Sequence, residues 1–162
     1  MNNPSEEVLN LLNQHHIDYQ LINHPPVYTA EAADKIYINC HFGRAKNLFL
    51  HGKHHFYLVT FHDDHQLDLR ALRKALHTSR LSFVSRDDLP KYLGIRSGAV
   101  SPLNLINDKS HDIVLVFDRN LIHSGLPIGC HPNDNTKTVV IPVDRLLKLV
   151  KEWGNPVQIL DL

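Results

Sequence analysis

Lys46 and Asn47 open an otherwise apolar stretch, AKNLFLHGKHHFYLVTF (45–61). An ammonium and an amide at the mouth of a strand read either as a strand end reaching water or as part of a binding site. Two other segments set polar or backbone-bending residues beside apolar strands. One is Gly98-Ala99-Val100-Ser101-Pro102, a G-x-x-x-P loop in which glycine lets backbone groups approach a ligand and proline stiffens the turn. The other is His131-Pro132-Asn133, just before the strand-like TKTVVI. Taken singly, each has an ordinary structural reading: a solvent anchor, a turn, a hydrogen-bonded surface histidine.

Other chemistries find less support. Thirteen histidines include five between His51 and His65, and His62 and His65 make an H-x-x-H pattern. There is no H-E-x-x-H, however, and no Cys/His set with zinc-finger spacing, so no metal is expected. Cys40 and Cys130 form no C-x-x-C and read as small, partly buried residues, since a nucleophilic thiol needs an activating environment. The pairs Asp63–Asp64 and Asp87–Asp88 are neighbours in sequence, so their side chains diverge and do not suggest two cooperating carboxylates. G-x-G-x-x-G, P-loop and G-x-S-x-G patterns are all missing, so no nucleotide cofactor and no serine-hydrolase elbow is expected.

The elements that must position these residues are legible in outline. NPSEEVLNLLNQHH predicts a helix with Asn3 as cap, Pro4 at its first position and Val8, Leu11, Leu12 and His15 on one face. DYQLINH predicts a short strand ended by prolines, and TAEAADKI a helix capped by Thr29. AKNLFLH and HHFYLVTF predict a β-hairpin turning at Gly52 and Lys53. LDLRALRKALHT predicts a helix whose Arg70, Arg73, Lys74 and His77 share one face opposite Leu69, Leu72 and Leu76. That face is either solvated or a patch for nucleic acid. Next come a strand at LSFVS and a helix starting at Ser85 and ending at Gly94, then IRSGAVSPLNLIND, which breaks every period and reads as an ordered loop. DIVLVFD predicts a central strand, TKTVVI a second strand, VDRLLKLVKEW a helix followed by Gly154, and PVQILDL a last strand. The expectation is an α+β fold: one domain over 1–162, with about seven strands in one mixed, curved sheet surrounded by five helices.

Composition bounds the function. A hydrophobic fraction of 43% supports a real core, and no run approaches the roughly 18 apolar residues of a membrane span, so no membrane partner is expected. The start, MNNPSEEVLN, lacks a signal-peptide pattern, which makes the cytoplasm the expected location. Seventeen cationic residues balance seventeen acidic ones, which argues against a protein that coats DNA but not against one that grips a short nucleic-acid end.

Together and in this order, AKNLFL, GAVSPLNLIND and HPNDNTKTVVI resemble the YbaK family of aminoacyl-tRNA deacylases, most closely the prolyl-tRNA synthetase-associated, ProX/PrdX-like branch. INHPPVYTAEAA adds to the likeness, which spans nearly the whole chain. The resemblance implies a free-standing relative of the prolyl-tRNA synthetase editing domain. Such a protein would hydrolyse the ester of a mischarged tRNA, alanine on proline tRNA above all, with prolyl-tRNA synthetase as a further partner. It also implies that Lys46 matches the family's essential lysine, that Gly98 to Pro102 match its loop, and that His131 matches a histidine shaping the amino-acid pocket. On this reading Lys46 and Gly98 are catalytic. Asn47, Ala99, Val100, Ser101, Pro102 and His131 bind substrate, with no cofactor. The alternative is a non-catalytic module or sensor that binds aminoacyl-tRNA ends or a free amino acid.

Overall fold

The hairpin forms where alternation and turn chemistry coincide. β2 (Ala45–His51) and β3 (Phe56–His62) pair antiparallel around a turn at residues 52–55. β3 buries Tyr57, Val59 and Phe61 on one face and Leu58 on the other, so the sheet it enters must be covered on both sides. The computed structural model describes residues 4–162. In it β3 lies inside a five-stranded sheet of order β4-β2-β3-β5-β8, in which β4 is Ser82–Phe83, β5 Ile113–Asp118 and β8 Val157–Leu160. β3, β5 and β8 run parallel. β5 and its neighbour β3 are the buried central strands, which is why β5 reads as a continuous apolar run.

A second, three-stranded antiparallel sheet has the order β1-β7-β6: Gln20–Asn23, Lys137–Ile141 and Ile128–Cys130. The α+β class is as expected, but one sheet of about seven strands becomes two sheets with eight strands among the described residues. β6 escapes sequence reading because it is three residues long and centred on Gly129. A Cβ there would fall 2.4 Å from Phe42 Cε2, so glycine admits the ring. The two sheets touch through a parallel bridge between Gly43 and Ile128.

Six α-helices among the described residues close the structure: α1 (Glu6–Gln14), α2 (Ala30–Ile36), α3 (Leu69–Ala75), α4 (Leu89–Leu93), α5 (Arg119–His123) and α6 (Val143–Glu152). Thr29 Oγ1 accepts from Ala32 N, and Asp68 accepts from Arg70 N and Ala71 N, so these caps follow ordinary capping chemistry. The cap predicted at Asn3 lies outside the described residues. Ser5, not Pro4, immediately precedes α1, whose first turn carries Glu6 and Glu7 at the positive end of the helix dipole. α5 was not legible: it has only five residues, started by the buried Asp118, which accepts from Asn120 N.

The larger core packs α1, α4 and α6 with Phe49, Leu58, Leu115 and Phe117 of the five-stranded sheet and Val139 and Ile141 of the smaller one. A smaller cluster lies on the opposite face, where Leu72 of α3 and Leu76, its C-cap, cover Leu50, Tyr57, Val59, Phe61 and Val116. No helix among the described residues is long and apolar enough to cross a membrane.

Candidate functional site

The site lies where the two sheets diverge. β4 pairs with β2 only at Leu50 and His51, so the earlier part of β2 keeps an open edge. Val84 N donates to Phe49 O across that edge. By the two-residue period of a strand, the backbone groups of Asn47 and Ala45 point the same way, into open space. This edge, the Gly98 loop, β6, β7 and the segment carrying Val27 and α2 surround a cavity of about 390 Å³.

Lys46, Asn47, Gly98, Val100 and His131 all line this cavity, although 85 residues (131 − 46) separate the first from the last. Lys46 is exposed at the rim. Asn47 is half-buried and held: the hydroxyl of the fully buried Thr60, its cross-strand partner, donates to Asn47 Oδ1 at 2.6 Å. The amide nitrogen of Asn47 has no hydrogen-bond partner among the described residues.

Gly98 has φ +93°, a conformation that side chains disfavour. A Cβ at this position would lie 2.6 Å from Asn135 Nδ2 and 3.0 Å from Tyr28 Cε1, so the glycine is required by conformation and by space. Ala99, Ser101 and Pro102 do not line the cavity; they are buried behind it. Within the stretch expected to be an ordered loop, Pro102 to Asn107 form a 3₁₀ helix. Leu103 N donates to Ser101 Oγ and Ser101 N donates to Asn104 Oδ1, which is a capping box with proline at the first helical position. Asn104 Nδ2 then donates to Asn133 Oδ1, tying the loop to the turn that follows His131. These residues therefore fix the loop rather than touch a ligand.

His131 Nδ1 is 2.8 Å from the Lys137 carbonyl. A carbonyl only accepts, so Nδ1 carries the proton and Nε2 presents a lone pair. Burial, and after it the nearby His24, hold the His131 pKa below the ordinary histidine range, while the Lys137 bond opposes them. The sequence offered nothing to orient this ring; the backbone of β7 does so.

Residues that sequence reading did not select complete the walls. His24 Nδ1 is 2.8 Å from Pro25 O, and His24 Nε2 is hydrogen-bonded to Thr138 Oγ1 at 2.8 Å. Thr138 Oγ1 is in turn hydrogen-bonded to the Tyr37 hydroxyl at 2.6 Å. Phe42 packs edge-on to Tyr37, with ring centroids 5.1 Å apart. Arg44 lies at the mouth, ion-paired to Asp34 of α2 and, at 3.1 Å, to Asp63.

Other candidate centres are different in kind. Cys130 is buried and its thiol is pushed up to about 12 by desolvation, which makes it a poor nucleophile. His54 and His55 are exposed in the hairpin turn, and His62 and His65 engage Asp63, Asp64 and Asp118. No three His, Cys, Asp or Glu side chains among the described residues are gathered to hold a metal ion. A larger groove of about 920 Å³ beside α1 is lined by Glu6, Glu7 and Trp153, and of the three segments selected from the sequence only Asn133 reaches it.

The model of the aminoacyl-tRNA editing domain family matches residues 24–149, a span that contains every wall of the 390 Å³ cavity. The chain belongs to that family. It is accordingly of the hydrolase class, an aminoacyl-tRNA deacylase. It is 41% identical over 160 residues to the prolyl-tRNA editing protein ProX of Acetoanaerobium sticklandii, covering 97% of this chain and 96% of the relative. It is 34% identical to prolyl-tRNA synthetase associated domain-containing protein 1 of Danio rerio, over 91% of this chain and 79% of the relative. A crystal structure of a candidate trans-editing enzyme for prolyl-tRNA synthetase superposes with a TM-score of 0.75 at 17% identity, covering 100% of this chain and 98% of that one, and so shares the fold.

Proposed function

We propose that this chain, acting as one editing domain over 1–162, removes alanine from mischarged proline tRNA in trans, in the cytoplasm and alongside prolyl-tRNA synthetase. The observation that carries this reading is the convergence of Lys46, Asn47, Gly98 and His131 on one cavity whose Cys130 thiol is pushed up to about 12 by burial. An aminoacyl ester is already activated, so positioning and oxyanion stabilisation suffice for its hydrolysis.

In this account the ammonium of Lys46 holds the phosphate of the tRNA 3′ end. The Asn47 amide and the open backbone edge of β2 face the aminoacyl group across from the Gly98 loop, whose positive φ lets backbone groups come close to the ester. Water attacks the carbonyl carbon, the bond to the ribose oxygen breaks, and that oxygen takes a proton. The neighbouring ribose hydroxyl assists the water. The lone pair of His131 Nε2 accepts a hydrogen bond from the substrate's α-ammonium, a role that a protonated imidazole could not fill. Tyr37 and Phe42, one locked by Thr138 and His24 and the other seated on Gly129, limit the side chain admitted. A second sieve of this kind works by excluding the correct, larger product, because binding preference for a single methylene is worth only about 1–3 kcal/mol.

The test is a deacylation panel with alanyl-, cysteinyl-, seryl- and prolyl-tRNA under identical conditions without added metal. Fast release of alanine with prolyl-tRNA spared supports the proposal. Tight binding of aminoacyl-tRNA with no release identifies a sensor instead.

A further inference from the structure

Besides His131, three aromatic rings among the described residues line the 390 Å³ cavity: Tyr28, Tyr37 and Phe42. Two of them are committed to the protein. Tyr37 is half-buried with its hydroxyl on Thr138, and Phe42 is packed edge-on against Tyr37 and seated on Gly129. Tyr28 is different. It is 72% exposed, and its hydroxyl has no hydrogen-bond partner among the described residues.

A single exposed tyrosine is ordinary on a protein surface. What distinguishes Tyr28 is that its backbone is pinned at the rim of the cavity. Pro25 and Pro26 stiffen the chain before it. Val27 N donates to Asn135 Oδ1 at 3.3 Å, and Thr29, the next residue, caps α2 through its hydroxyl. Tyr28 Cε1 also stands 3.0 Å from where a Gly98 Cβ would lie, so the ring meets the loop at the one residue without a side chain. An aromatic side chain with two rotatable bonds on a fixed backbone loses little entropy when a flat partner settles on it.

The position of the ring sets what it can meet. The ester, the phosphate link and the base of a tRNA's last nucleotide all hang from one ribose. With the ester at the Gly98 loop and the phosphate at Lys46, the base is one sugar ring away from the ester, within reach of the aromatic side chain that touches Gly98. We propose that Tyr28 is the stacking platform for the base of the substrate's 3′-terminal nucleotide. The proposal rests on the editing function inferred above and adds a nucleobase subsite to it. Stacking uses the π-face that every base has, so this subsite requires a base without selecting its identity.

The experiment uses alanyl esters of two trinucleotides: CCA, and the same chain with the terminal base replaced by hydrogen. Steady-state kinetics are compared for wild type, Tyr28→Phe, Tyr28→Leu, Tyr28→Ala and Phe83→Ala. The last removes a ring that is 59% exposed on β4 and does not line the cavity. Tyr28→Leu keeps an apolar side chain against Gly98 and serves if the alanine variant does not fold. On the CCA ester, Tyr28→Ala and Tyr28→Leu should raise KM by roughly tenfold, the loss expected for one stacked base, while Tyr28→Phe and Phe83→Ala resemble wild type. Removing the base should cost wild type the same factor and make all five proteins equal. An equal loss for Tyr28→Ala on both esters marks the ring as packing only and overturns the proposal, as does an unchanged KM on the CCA ester. If neither ester is hydrolysed, the editing function fails and NMR titration with the two uncharged trinucleotides decides the subsite. Tighter binding of CCA that vanishes in Tyr28→Ala keeps the platform, and equal binding of both refutes it.

Discussion

Replacing Gly98 with alanine separates the two reasons for glycine in the loop. The added Cβ meets Asn135 Nδ2 at 2.6 Å and the Tyr28 ring at 3.0 Å, and the backbone sits at φ +93°. Conformational strain of this type costs about 1–3 kcal/mol. Asn135 cannot retreat freely, because its Oδ1 accepts from Val27 N at 3.3 Å, so the loop itself must shift away from the cavity. A displacement near 1 Å of a positioning element costs about 100-fold in rate. Gly125→Ala is the matched control: its φ is +71° and no atom lies within 4 Å of its Cβ position. Urea unfolding and single-turnover deacylation of alanyl-tRNA should show both variants destabilised, with only Gly98→Ala losing kcat/KM, by about two orders of magnitude. A Gly98→Ala enzyme with wild-type kcat/KM, or a Gly125→Ala enzyme equally impaired, would refute the assignment of this loop to catalysis.

Three further outcomes are expected. Burial holds the His131 pKa below the ordinary histidine value of 6.5, so the acid limb of kcat/KM should fall below pH 6.5 and change shape in His131→Asn. In the window from 6.5 down to that lowered value the unfolded chain binds the extra proton, so stability falls with acidification; a wild-type stability profile flat through this window contradicts the assignment. Thr60→Val frees Asn47 to rotate, and a lost hydrogen bond of about 1 kcal/mol should lower kcat/KM roughly fivefold with little change in melting temperature. Cys130→Ala should keep its deacylation rate, and the native thiol should resist alkylation at neutral pH; rate loss on alkylation would reinstate a thiol mechanism.

Much of the fold was legible because strong local signals agreed with tertiary demands. The hairpin, β5 and α6 each combine a clear period with a turn or cap. What escaped was short or decided by pairing at a distance. β6 and α5 are too brief to show a period, and nothing local tells β7 to pair with β1 rather than join the larger sheet. The same reason hid half the site. Ile22 pairs with Thr138, and only that register brings His24, two residues on, to the Thr138 hydroxyl and so to Tyr37. Lys46, Gly98 and His131 became a set through family resemblance, not periodicity. Ser101 and Asn104 looked like loop residues because their capping box forms a 3₁₀ turn that carries no helical stripe.

The central claim is that Lys46 at the open edge of β2 holds the substrate's 3′ end for hydrolysis. Its most direct test is the rate of alanine release from alanyl-tRNA by wild type and by Lys46→Ala at matched concentration, with folding checked by circular dichroism. The side chain is exposed and makes no hydrogen bond or ion pair among the described residues, so the variant should fold normally. Loss of a charge-assisted contact worth about 1.5–3 kcal/mol predicts a kcat/KM lowered by roughly 10- to 150-fold. A well-folded Lys46→Ala protein that releases alanine at the wild-type rate would contradict the account.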